Sequence, residues 1–118
     1  KPEDEESKRI TFSQAATGAA GVETLLPLAL ELFHNNSIKL EKLLSTMTSN
    51  PAKILKIDKG SLDIGNDADL CVLDIDKKWI VKQKNLKSKS KNTPIENREL
   101  KGQVFQTYIK GQMLFERL

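Results

Sequence analysis

Histidine, cysteine, tryptophan and tyrosine each occur once in these 118 residues, as His34, Cys71, Trp79 and Tyr108. One cysteine excludes an intrachain disulfide. Cys71 lies among apolar residues of strand-like sequence and reads as a buried free thiol in a reducing compartment, which fits the cytoplasm. A single histidine excludes a His pair on a metal ion. His34 follows an apolar run as Phe33-His34-Asn35-Asn36, and reads as a helix-terminal residue facing the dipole or solvent. No apolar run approaches the ~20 residues of a membrane helix, and no signal-peptide pattern stands at the amino end.

Charge is plentiful but unevenly placed. Nineteen Lys and Arg against sixteen Asp and Glu leave +3. Residues Glu3 to Glu6 are all acidic and read as a solvated loop, whereas Lys77, Lys78, Lys82, Lys84, Lys87, Lys89 and Lys91 crowd one segment. That basic run lacks the interleaved aromatics and arginines that stack on bases and clamp phosphates, so no nucleic-acid partner is expected.

The pattern changes period near residue 57. Lys1 to Phe12 reads as a polar loop, followed by the small-residue stretch Ala15 to Gly21. Leu25 to Phe33 is apolar almost all round and reads as a buried helix with Pro27 in its first turn. Ser37 is an N-cap candidate for a second helix, whose Leu40, Leu43, Leu44 and Met47 fall on one face. Asn50-Pro51 marks the start of a short third helix carrying Ala52, Ile54 and Leu55. Beyond Gly60 a turn and short strand are expected, then strands at Asp69 to Asp74 and at Trp79 to Val81. A long loop spans Leu86 to Glu99, and Val104 to Ile109 and Gln112 to Phe115 form a hairpin through Lys110-Gly111. About four or five short strands need more cover than one helical hairpin supplies, so the sequence reads better as part of a larger protein.

Two regions then carry a family likeness. Thr48-Ser49-Asn50-Pro51-Ala52-Lys53-Ile54-Leu55 and the Gly60 to Asp74 stretch resemble the junction between barrel and β-subdomain in metal-dependent amidohydrolases. Phe12 to Leu28 is similar to the dihydroorotase segment after the eighth barrel strand, and Ser88 to Pro94 to the loop before the final hairpin of those enzymes. Ile95 and Val22 depart from the usual phenylalanine and leucine. The resemblance implies an α/β parent. Residues 1–57 would be the last helices of a (β/α)8 barrel, and 58–118 antiparallel strands of the C-terminal β-subdomain.

The resemblance also implies a zinc enzyme that interconverts dihydroorotate and N-carbamoyl-L-aspartate in pyrimidine synthesis. Its partners would be the remainder of the barrel and either a second copy or aspartate carbamoyltransferase. None of the family's metal ligands, nor its catalytic aspartate, has a counterpart here, so this chain alone is expected to bind no zinc and to be inactive. Asp67, Asp69 and Asp74 read as fixtures of turns and strand ends. By resemblance, the backbone of Ala16, Thr17 and Gly18 would lie beside the substrate. Three alternatives stand beside this reading: a catalytically dead homologue that scaffolds aspartate carbamoyltransferase, an allantoinase or dihydropyrimidinase type of enzyme, and a stand-alone basic binding module.

Overall fold

A computed structural model describes residues 8–117; the acidic run at Glu3 to Glu6 lies outside the described residues. Three helices come first: α1 (Leu25–His34), α2 (Leu40–Met47) and α3 (Ser49–Leu55). Strand β1 (Leu70–Ile80), a 3₁₀ turn at Gln83–Asn85, β2 (Glu99–Ile109) and β3 (Gln112–Glu116) follow. The strands form one antiparallel sheet in the order β1-β2-β3.

Local chemistry explains the helix ends. Pro27 sits in the first turn of α1, where an N–H would have no acceptor within the helix. At the other end Asn36 turns left-handed (φ 63°), and the N–H groups of Asn36 and Ser37 return to Phe33 O and Leu32 O. This is the closure that usually employs glycine, here made with asparagine, which tolerates that conformation. α3 ends the same way at Lys56 (φ 55°), with Ile57 N donating to Ala52 O. Ser37 therefore belongs to the exit of α1. The residue before α2 is Lys39, which makes no side-chain cap.

α1 lies across β2, and the contact is set by one glycine. Leu30 is wholly buried, and a Cβ built on Gly102 would stand 2.3 Å from its Cδ1. Only a residue without a side chain lets helix and strand approach so closely, and the backbone there is left-handed as well (φ 101°). Trp79 secures the same place by donating Nε1–H to Gly102 O at 3.1 Å. Ala20, Pro27, Leu30, Leu43, Ala52, Val81, Leu86 and Leu100 are the buried apolar residues of the core.

Four expectations are corrected. The two strands foreseen at Asp69 to Asp74 and Trp79 to Val81 are one, β1. Its pairing slips between Asp74 and Lys78, and Asp74 Oδ1 accepts the N–H groups of Asp76 (3.1 Å) and Lys77 (2.9 Å), which bridges the slip. No strand forms between Gly60 and Asp69; Ile64 to Asn66 make a turn, and the described residues contain three strands. α1 is not buried all round, since Leu25 and Leu32 are exposed. Cys71 is also exposed, on the sheet face that carries Thr107 and Phe115, with Sγ 3.7 Å from Thr107 Oγ1.

The β2–β3 hairpin turns through Lys110 (φ 50°) and Gly111 (φ 77°), the paired left-handed residues of a tight two-residue turn. The molecule is elongated, 53 × 31 × 31 Å with a radius of gyration of 16.5 Å. A self-contained domain of this length has about 13–14 Å. Exposed apolar side chains cluster on the outer side of α3 and the following loop, at Ile54, Leu55, Ile57, Leu62 and Ile64.

Candidate functional site

Two loops far apart in sequence are pinned together beside the N-terminus of α1. The first begins with a turn closed by Gln14 N and Ala15 N, both donating to Thr11 O. It then runs through Ala16, Thr17 and Gly18 to Ala20. The second is the Ser88 to Pro94 segment. Ala20 N donates to Asn92 O at 2.8 Å, and Asn92 Nδ2 donates to Gly18 O at 3.1 Å. Glu23 reaches across as well, with Oε2 accepting Lys87 N (2.7 Å) and Ser88 N (3.2 Å). The two dihydroorotase-like segments of the sequence are thus adjacent in space. Lys8 completes the assembly, its ammonium donating to Ala16 O (2.6 Å) and Gly18 O (2.8 Å).

Thr17, Gly18 and Ala19 are exposed, and Ala16 is half-buried. Their backbone N–H groups have no acceptor among the described residues. The loop therefore offers a row of unengaged donors with little side chain to cover them. Alongside, a groove of about 580 Å³ runs between α1 and the sheet, lined by Val22, Leu26, Trp79, Leu86, Thr107 and Phe115 among others.

The acids with ligand-like spacing are committed elsewhere. Asp69 Oδ1 accepts Lys110 N at 2.8 Å and Oδ2 accepts Lys59 Nζ at 2.6 Å; Asp67 Oδ2 takes the same ammonium at 2.9 Å. Lys59 and the hairpin amide hold the Asp69 carboxyl below the usual carboxylate range, and the two acids, Asp69 foremost, push Lys59 well above the ordinary lysine value. With Gly111 N on Ala68 O (3.0 Å), these bonds fasten the Gly60 to Asp69 loop onto the β2–β3 turn. His34 is neither free nor a dipole contact alone. Its Nε2 lies 3.0 Å from Ile75 O, tying the end of α1 to the irregular stretch of β1. Among the described residues no three His, Cys, Asp or Glu side chains gather in a metal-holding group. The described residues do not fit a zinc centre.

Sequence reasoning placed Ala16, Thr17 and Gly18 here but missed Lys8, Glu23 and Asn92. Lys8 sits at the end of a charged run where one lysine looks like any other, and no local pattern ties Asn92 to Gly18. The nearest signal was the likeness of both segments to one enzyme.

A helical end leading into an antiparallel sheet, with a backbone-lined loop beside it, agrees with comparison to known proteins. The chain belongs to the amidohydrolase family, whose model matches residues 5–114. Within that family it is similar to dihydroorotases. It is 41% identical over 115 residues to the dihydroorotase of Ehrlichia chaffeensis, covering 98% of this chain and 26% of that protein. To that of Geobacter sp. strain M21 it is 40% identical over 115 residues, covering 98% and 27%. Among solved structures, the L-hydantoinase (dihydropyrimidinase) of Arthrobacter aurescens superposes with a TM-score of 0.80 at 34% identity, over 88% of this chain and 24% of that one. The chain spans about a quarter of the length of the curated relatives it matches.

Proposed function

We propose that this chain contributes the substrate-side loop and the C-terminal β-subdomain of a dihydroorotase, with residues 1–57 completing a (β/α)8 barrel and 58–118 the subdomain. One observation carries the reading: the two dihydroorotase-like segments meet through Ala20–Asn92 and Asn92–Gly18. The whole protein would interconvert dihydroorotate and N-carbamoyl-L-aspartate in cytoplasmic pyrimidine synthesis. Backbone groups of Ala16, Thr17 and Gly18 would hydrogen-bond the polar edge of the substrate. Zinc would be held by residues outside this chain, and the chain alone would be inactive. The apolar surface at Ile54, Leu55, Ile57, Leu62 and Ile64 supports packing against a larger body. A second copy or aspartate carbamoyltransferase would be the further partner, and the size of the native complex separates the two.

The likeness to L-hydantoinase supports a second reading, a hydantoin-type ring as substrate. The test is ring opening by the full gene product with dihydroorotate, allantoin and hydantoin in parallel, beside the isolated chain and a metal-only control. Preferential turnover of dihydroorotate supports the first reading. Preference for another ring, or activity of the isolated chain above the control, refutes the corresponding part. No turnover of any ring turns the reading to a scaffold homologue.

A further inference from the structure

The bonds from Lys8 do more than anchor a loop. Its ammonium stands 2.6 Å from Ala16 O and 2.8 Å from Gly18 O, two charge-assisted donations to alternate carbonyls of one short segment. Asn92 Nδ2 gives Gly18 O a second donor at 3.1 Å. In a trans peptide unit the C=O and the following N–H point in opposite directions. Drawing the Ala16 carbonyl onto Lys8 therefore turns the Thr17 N–H away from it. Drawing the Gly18 carbonyl onto Lys8 and Asn92 turns the Ala19 N–H away likewise. Gly18 supplies the left-handed residue between these two units (φ 102°).

Neither N–H has an acceptor among the described residues, whereas Gln14 N, Ala15 N and Ala20 N on either side are all engaged. The amides flanking the loop are satisfied, whereas those of Ala16 to Ala19 have no acceptor among the described residues, and the Thr17 and Ala19 N–H groups are the two whose directions the bonded carbonyls set. Both stand on exposed residues. A lone ammonium that fixes two carbonyls in place thus fixes two donors for something else.

We infer that Lys8 is a positioning residue that presents the N–H groups of Thr17 and Ala19 as paired donors to the polar edge of a cyclic amide substrate. The inference rests on the dihydroorotase reading and sharpens it: Ala19 joins Thr17 at the ligand, while Ala16 serves through its inward carbonyl. Lys8 itself does not touch the ligand.

The test uses the full gene product. Lys8→Met keeps the length of the side chain and removes the charge, Lys8→Arg keeps the charge, and Asn92→Asp replaces the amide donor by a carboxylate. With dihydroorotate, Lys8→Met and Asn92→Asp should raise KM by about tenfold while kcat changes by less than about threefold, and Lys8→Arg should recover most of the loss. In the unsubstituted protein, N-carbamoyl-L-aspartate should slow hydrogen exchange at the Thr17 and Ala19 amides by about tenfold or more. A Lys8→Met protein with lowered thermal stability and unchanged KM overturns the inference, and so do Thr17 and Ala19 amides indifferent to the ligand. If the unsubstituted protein does not process dihydroorotate, the functional reading fails first and takes the inference with it. That failure shows in the parent and not in the variants.

Discussion

Replacing Gly102 with alanine puts the helix–sheet contact under direct strain. The new Cβ would lie 2.3 Å from Leu30 Cδ1, against a carbon–carbon optimum of roughly 3.5–4.0 Å. Leu30 is wholly buried, and close-packed interiors offer few voids into which a side chain can turn. Overpacking of this sort costs about 1–3 kcal/mol. The positive φ at Gly102 (101°) adds roughly 1–2 kcal/mol for a residue with a Cβ, so the loss should reach about 2–5 kcal/mol. Trp79, the only tryptophan of the chain, donates to Gly102 O, so its fluorescence during urea unfolding reports on the site itself. Leu30→Ala alone should cost about 2–5 kcal/mol through its cavity. Combined with Gly102→Ala it should cost less than the two singles added, by about 1–3 kcal/mol, because the cavity receives the new methyl. Strict additivity would show that the clash was relieved elsewhere. A Gly102→Ala protein as stable as its parent would refute the argument altogether.

Three further outcomes follow from the fastenings of the sheet. Asp69 has a lowered folded pKa, so its contribution is present above the ordinary aspartate value of about 3.9 and is lost as pH falls through the lower folded one. The Lys110 amide resonance, which reports on the bond to Asp69, should therefore titrate with a midpoint below that value; a midpoint at or above it contradicts the bond. Glu23→Ala removes the acceptor of Lys87 N and Ser88 N and should loosen the Ser88 to Pro94 loop by about 1–3 kcal/mol, read as faster tryptic cleavage after Lys87 and Lys89. Unchanged cleavage would mean that the remaining bonds of the loop, those of Asn92 among them, hold it without Glu23. The exposed Cys71 thiol should react with a thiol reagent in the native chain at a rate close to that after unfolding, and a strong native slowing would place it under cover.

What could be read from residues alone was what repeats locally. The leucine spacing of α2, the proline in the first turn of α1 and the Lys110-Gly111 turn each signal within a few positions, and each stands where that signal put it. Asp69 was read as a fixture of a turn or strand end, but its partner, the Lys110 amide of the distant hairpin, was not. Distance in sequence set the limit. Nothing near Asp74 says that its carboxylate will bridge two amides and let one strand continue where two were expected. His34 finds its partner forty-one residues away, at Ile75 O. The exposure of Cys71 depends on which sheet face α1 covers, a property of the whole arrangement. The loop of Ala16, Thr17 and Gly18 was singled out through its family likeness alone, and nothing local pointed to Lys8, which binds two of its carbonyls.

The bond from Asn92 to Gly18 spans seventy-four residues, and that span fixes an order of events in time. As the polypeptide leaves the ribosome, Ala16 to Ala20 emerge well before Asn92, so they cannot reach their final form at once. The closure is entropically demanding but grows only slowly with the length of the intervening chain. What decides it is whether β1 and β2 have paired, since they flank the returning segment and bring Asn92 back to α1. The Ala16 to Ala20 loop consequently cannot gain its bonds to Asn92 until the later part of the chain has been made. An early arrest of synthesis would leave a helical stub whose glycine loop has no returning partner.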